Sequence, residues 1–337
     1  MINFIQFTLT RAFLAIVTLL IVCFIVFSLM ELVPGTCAER YLAFKNTQGS
    51  QITYEEIVAE KKKLGLDKPF LYRYGKWVSD IVIRQDFGDS CILRISINEL
   101  LSGRFVLSLT IAITALIFSY LIAIPVGIIS ASTKYVSLDQ TLKFISYLGI
   151  ALPNFLVALC IMLFMTIYYG DTMTGLFSEE YENVPWSMDR VRDFLSRAWL
   201  PIFVLGWNAT AFALQTVRAL MLDENDKLYV MAARARGISG MSLLWRYPAK
   251  HSLGPVINSI GFDLNRIFSA LPIVALILIL TEAGALLIEA LARSNDQQLA
   301  GAIIFLLTAT IVFVNFVTDI ILAIMDPRIR KGVMGGN

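Results

Sequence analysis

Hydrophobic positions in this 337-residue chain gather into long uncharged blocks and do not alternate with polar ones. Residues 12–30 are nineteen positions without a charge, and 105–133 and 144–170 are equally bare. A helix needs about 20 apolar residues to cross the hydrocarbon core. Lipid offers no water to the backbone, so its N–H and C=O groups must pair within the segment. The pattern predicts six membrane-spanning helices, near residues 10–31, 105–131, 144–169, 198–218, 255–281 and 298–325. The runs are too long and too continuous for a transmembrane β-barrel. Four prolines fall inside spans: Pro125, Pro153, Pro201 and Pro272. Neighbouring helices can re-satisfy the carbonyls that proline frees. Such kinks either shape a pathway or only set helix packing.

The expected fold is therefore all-α and polytopic. Residues 1–31 hold the N-terminus and first span, and 32–103 form a long polar extracytoplasmic segment with a charged helical stretch at Tyr54–Leu64. Residues 104–325 form a core with the second to sixth spans, including a loop at 223–255, and 326–337 form a tail. The first block follows Arg11, and the stretch Glu31-Leu32-Val33-Pro34-Gly35 after it lacks a small-residue cleavage pattern. It is expected to stay as a span and not leave as a secretory signal.

Orientation follows from Lys and Arg in the short loops, since long segments translocate largely regardless of charge. One side carries Arg11, Lys134, Lys143, Arg218, Lys227, Arg234, Arg236, Arg246, Lys250, Arg328, Arg330 and Lys331, twelve in all. The other side carries four, Arg190, Arg192, Arg197 and Arg293. Both termini and the 223–255 loop are expected in the cytoplasm.

Composition supports this picture. The chain is 57% hydrophobic and only 16% charged, with mean hydropathy +0.70, against about 25% charged in a soluble domain. A net charge of +2 argues against a nucleic-acid partner, whose binder would carry a stronger basic excess.

Charges inside spans are costly and face a cavity or a partner. Asp263 and Arg266 interrupt the fifth span three residues apart, on one helix face. Arg266 lies about eleven residues past Pro255, roughly 16 Å along a helix and near mid-bilayer. The pair is either a lining of the substrate path or an internal or inter-subunit ion pair. Asp319 lies nearer the cytoplasmic end of the sixth span and is expected to be structural.

Of four cysteines, Cys23 and Cys160 fall in spans as small apolar packers. Cys37 and Cys91 both fall on the outer side, where an oxidising compartment permits either a disulfide or two thiols. His251 is the one histidine, and no Cys/His spacing suggests a metal site. No Gly-x-x-x-x-Gly-Lys-Ser/Thr phosphate loop is present.

The loop supplies the specific signal. Tyr229-Val230-Met231-Ala232-Ala233-Arg234-Ala235-Arg236-Gly237 is short, alanine-rich and basic, and Gly237 suits a helix C-cap. A second helical stretch is expected from Gly240 to His251. Such an amphipathic knob suits a groove on a soluble partner. The sequence resembles the EAA loop of ABC-importer permeases of the oligopeptide/dipeptide type. Arg246-Tyr247-Pro248-Ala249-Lys250-His251-Ser252-Leu253-Gly254-Pro255-Val256 fits that loop's second half more loosely. Further fragments resemble the same branch in order: Leu64-Gly65-Leu66-Asp67-Lys68-Pro69, Asp86-Phe87-Gly88-Asp89-Ser90, Leu152-Pro153-Asn154-Phe155 and Asp326-Pro327-Arg328-Ile329-Arg330. One departure is Ala275, at a position where many relatives carry Glu.

The resemblance implies a type I importer permease of a bacterial inner membrane, without enzymatic chemistry of its own. It implies a second homologous permease, two cytoplasmic ATPase subunits that bind ATP and Mg, and a periplasmic or lipid-anchored substrate-binding protein. Tyr229, Ala232, Ala233, Arg234, Ala235, Arg236 and Gly237 would couple to an ATPase. Oligopeptides lead as cargo, with oligosaccharides or nickel as alternatives. A stand-alone secondary transporter would need internal repeats, and a membrane enzyme would need clustered catalytic groups in the spans; neither is evident.

Overall fold

A computed structural model describes residues 2–32, 34–47, 53–132, 136–170, 173–182, 184–294 and 296–325. The expected tail 326–337, with Asp326, Pro327, Arg328, Arg330 and Lys331, lies outside the described residues, as does Lys134. The described chain is helical, with one isolated antiparallel bridge, Asp89 to Ser96. Among the described residues, five helices are long and apolar enough to cross a membrane: α1 (Ile2–Leu32), α6 (Arg104–Ser130), α9 (Met188–Asn225), α12 (Pro248–Leu278) and α14 (Gln297–Met325). A bent pair, α7 (Val136–Ala151) and α8 (Asn154–Tyr169), makes a sixth crossing if counted as one.

That pair corrects the expectation of one continuous third span over residues 144–169. The two helices meet at 99°. Pro153 has no N–H to donate, and its ring disfavours helical geometry at Leu152. A second correction concerns α9, which starts ten residues before the expected position 198. Its first turns are polar, and Asp193 and Arg197 pair at helical spacing, so the helix continues where the hydrophobic run has ended. The chain divides into two compact units, Met1–Ala12 with Leu109–Leu280 and Phe313–Asn337, and Phe13–Ser108 with Thr281–Val312.

In the second unit, α2 (Cys37–Thr47), α3 (Tyr54–Lys63), α4 (Phe70–Ser79) and α5 (Ile97–Leu101) fold the long polar segment. Thr36 and Glu39 cap α2 reciprocally, Thr36 N donating to Glu39 Oε2 at 2.8 Å and Glu39 N to Thr36 Oγ1 at 3.3 Å. Lys61 donates to Glu39 at 2.6 Å and holds that carboxyl below its ordinary range. Arg94 stacks over Tyr41 at 4.0 Å and pairs with Glu60. Phe70, Tyr74 and Trp77 share one face of α4 and pack on Phe24 and Phe27 of α1.

Cys37 and Cys91 are joined as a disulfide, with Cα atoms 5.3 Å apart. The bridge closes a 54-residue separation, for which loop-closure entropy predicts about 4 kcal/mol of stabilisation. A Cys37→Ser/Cys91→Ser chain is expected to lose about 2–4 kcal/mol in this segment. Limited proteolysis in intact membranes checks it: cleavage within residues 38–90 should rise while the spans stay protected. Unchanged protection would show that ion pairs and aromatic packing suffice.

Two buried carboxylates complete this unit. Glu282 caps α13 (Ala283–Ile288), accepting from Gly284 N at 2.7 Å and Ala285 N at 3.0 Å, and takes a further bond from Ser108 Oγ. Burial pushes its carboxyl above the ordinary range, against the pull of those donors. Asp296 caps α14 through Leu299 N at 3.1 Å and also accepts from Ser90 Oγ. Ile97, Leu286, Leu287, Leu299 and Ile303 form the apolar core beside them.

In the first unit α9 is the hub, and glycines let other helices approach it closely. A Cβ on Gly127 of α6 would fall 2.8 Å from Val217, and one on Gly149 of α7 would fall 2.8 Å from the Cβ of Ala211. Membrane helices gain much of their association from such close packing of small residues.

Candidate coupling segment and membrane-embedded site

After α9 the chain turns into α10 (Leu228–Ala235) and α11 (Gly240–Arg246). Gly237 ends the first of these with φ +84, a conformation that suits glycine. Its N–H donates to Arg234 O at 2.9 Å, and Ile238 N donates to Ala233 O at 3.2 Å, which satisfies carbonyls at the helix end. Val230, Ala233 and Leu243 bury together under Tyr229, Ile238 and Tyr247. Among the residues expected to couple, Ala232, Arg234, Ala235, Arg236 and Gly237 are exposed, Tyr229 is half-buried and Ala233 is core. Leu228 and Met231 extend the exposed face of α10, and Met241 and Trp245 project from α11.

Side chains fix this knob to the end of α9. Arg234 donates to Asn225 Oδ1 at 2.6 Å, and the Tyr229 hydroxyl bonds Glu224. Burial, then the bond to Glu224, raises the Tyr229 phenol above its usual range. The Tyr229 ring meets His251 at 4.8 Å. The expected single helix from Gly240 to His251 breaks at Tyr247, because Pro248 opens α12. Proline is tolerated in a helix's first turn, where its missing N–H would be unpaired anyway. Nearby, Arg218 of α9 grips Asp139 of α7 bidentately at 2.6 and 2.8 Å, and Lys143 joins at 2.8 Å.

Asp263 is the sixteenth of the 31 residues of α12, at the helix midpoint. Arg266 Nη1 lies 3.0 Å from its Oδ1, so the predicted pair forms. Residues that sequence alone did not single out complete the cluster. Tyr120 of α6 donates to Asp263 Oδ2 at 2.6 Å and lies 2.9 Å from Ser259 Oγ. The Arg266 guanidinium covers Phe212 of α9 at 3.6 Å. The carboxylate is 6% exposed and the arginine 36% exposed, so the cluster hides its anion and shows its cation. Beside it a cavity of about 310 Å³ is lined by Asn154, Asn208, Arg266 and Ser269 and by Phe155, Ala270 and Ile273. Asp319, expected to be structural, lies 3.3 Å from Arg11.

Comparison with known proteins decides the family. Residues 123–331 match the family described as binding-protein-dependent transport system inner membrane component, and residues 4–99 match its N-terminal companion. The chain belongs to this family of importer permeases. This permease is 28% identical over 322 residues to the oligopeptide transport system permease protein AppB of Bacillus subtilis (strain 168), covering 95% of this chain and 98% of that one. It is 25% identical over 342 residues to the dipeptide transport system permease protein DppB of Escherichia coli (strain K12), covering 96% and 98%. The inward-facing MetNI methionine ABC transporter superposes with TM-score 0.53 at 16% identity, over 67% of this permease and 96% of that chain. That likeness concerns the fold.

Proposed function

We propose that this permease forms half of the translocation pathway of an ATP-driven importer whose cargo is oligopeptides. Support for the cargo comes from the relatives named for oligopeptide and dipeptide transport. A second homologous permease would complete the pathway, and a periplasmic or lipid-anchored binding protein would deliver the cargo. Two cytoplasmic ATPase subunits would bind ATP and Mg and supply the energy. Both termini and the α10–α11 knob would face the cytoplasm.

The observation that carries this is the construction of the knob. It rests on three buried side chains and presents an exposed face with Arg236 at its edge. It is continuous with α12 through Tyr247 alone. Arg266 stands eighteen residues along that helix, roughly 27 Å at 1.5 Å per residue. Movement imposed on the knob by closing ATPases would travel along one helix to the charge pair, as rigid-body motion of a two-state bundle.

Gly237→Val tests the coupling. A Cβ at Gly237 would meet nothing within 4 Å, so the substitution disturbs only the positive φ. A β-branched residue there costs about 1–2 kcal/mol, enough to reshape the turn and too little to unfold the permease. The assembled importer should keep ATP hydrolysis and lose most uptake. Normal uptake by a well-expressed Gly237→Val importer would remove the knob from the coupling path.

A further inference from the structure

Two polar residues that line the membrane-embedded cavity, Asn208 and Arg266, have part of their hydrogen-bonding capacity already committed by the fold. Gly149 lies in the last turn of α7, and its carbonyl would ordinarily accept from the N–H four residues on. That residue is Pro153, which has none. Asn208 Nδ2 donates to Gly149 O instead, at 3.1 Å. A carbonyl takes only a donor, so the nitrogen end of this amide is committed and Oδ1 is left as its acceptor. The orientation of Asn208 thus follows from a proline on another helix.

Arg266 supplies the opposite polarity. One nitrogen engages Asp263, and Phe212 covers one face of the guanidinium. Its remaining N–H groups belong to a partly exposed side chain that lines the same cavity as Asn208. Asp263 already balances the arginine's charge. An added anion would leave a net negative charge in the membrane and would face the Asn208 oxygen. A neutral group with one acceptor and one donor fits both walls.

We infer that this cavity is a subsite for a main-chain peptide unit of the passing cargo, with Arg266 donating to its carbonyl oxygen and Asn208 Oδ1 accepting its N–H. This rests on the peptide-importer function above. Recognition of the backbone, flanked by the apolar surface of Phe155 and Ile273, would leave cargo side chains largely unselected.

The test uses the whole importer, purified with its partners and reconstituted in vesicles with its binding protein outside. Uptake of trialanine is compared with that of an analogue in which one amide is an ester, lacking the N–H and offering a weaker acceptor. The comparison is made for the native chain, Asn208→Ala and Arg266→Lys, the last keeping the charge opposite Asp263. Discrimination by the binding protein is common to all three and divides out. Asn208→Ala should lower trialanine uptake about tenfold, the worth of one hydrogen bond of about 1.4 kcal/mol, and leave ester uptake nearly unchanged, whereas Arg266→Lys should lower both, the ester less because its carbonyl is the weaker acceptor. Equal losses for both cargoes, or no loss for either, would overturn the subsite while leaving the peptide function standing. If Asn208→Ala fails to fold, Arg266→Lys decides alone. A native importer that takes up neither compound but does take up an oligosaccharide would overturn the peptide function and this subsite together.

Discussion

An Arg266→Met permease is expected to lose stability by about 3–5 kcal/mol, because it leaves the Asp263 carboxylate buried without its cation. The remaining donors near Asp263, Tyr120 and Ser259, are neutral hydroxyls. Solvent reaching the partly exposed arginine places the loss toward the lower end of that range. Thermal unfolding of the detergent-solubilised importer, followed by size-exclusion, measures it. A single variant as stable as the native chain would show that the pair contributes nothing to folding. Asp263→Asn combined with Arg266→Met should recover most of the loss, since removing both members of a buried pair is often neutral. Uptake by that double variant then separates two roles. Retained uptake makes the pair a brace between helices, and lost uptake in a stable chain puts it on the path.

Gly149→Leu is expected to prevent accumulation of folded permease. The first added carbon would fall 2.8 Å from the Cβ of Ala211 and 3.3 Å from the indole nitrogen of Trp207. Ala211 has no side-chain torsion with which to move aside, so α7 would have to leave α9. Overpacking usually costs about 1–3 kcal/mol, and a contact set by backbone position exceeds that range. Gly254→Leu is the control, because a Cβ there meets nothing within 4 Å. Membrane-fraction yield and melting temperature should fall for the first variant and stay near native for the second. Equal behaviour of the two would mean that the crossing of α7 and α9 tolerates far more separation than its geometry implies.

The hydropathy blocks located each of the five described helices long enough to cross and the bent pair as a single block, because the cost of an unpaired backbone in lipid leaves little alternative to helices. Their ends were less legible. The run that sets hydropathy stops near residue 198, whereas α9 begins at Met188, since helix length also depends on polar pairs such as Asp193 with Arg197. Pro153 was visible as a kink, but the 99° bend depends on what packs against it. The charge pair was legible from its three-residue spacing, while Tyr120 and Phe212, distant in sequence, were not. Asn208 had no sequence signal at all, because its role comes from a carbonyl freed on another helix. Ala275 was read as filling the family's Glu position, and Glu282, seven residues on, went unremarked. Its burial comes from the approach of Ser108, 174 residues away. Carboxylates that cap helices look, in sequence, like ordinary loop acids.

The position of Asp296 also bears on the order in which the chain can mature. Cys37 and Cys91 are 54 residues apart, so both exist once less than a third of the protein has been made. Ser90, next to that bridge, hydrogen-bonds an aspartate 206 residues later, at the entrance to α14. The oxidised segment therefore waits through the synthesis of four further membrane crossings, the bent pair counted as one, before this anchor arrives, and the packing of Phe305 on Trp77 and Phe87 comes later still. Until then its own ion pairs, its bridge, α1 and the packing of Ile97 and Leu101 against α13 hold it. Arrest of synthesis just before and just after residue 296 would release chains that differ in this one fastening, and a quality-control protease should tell them apart.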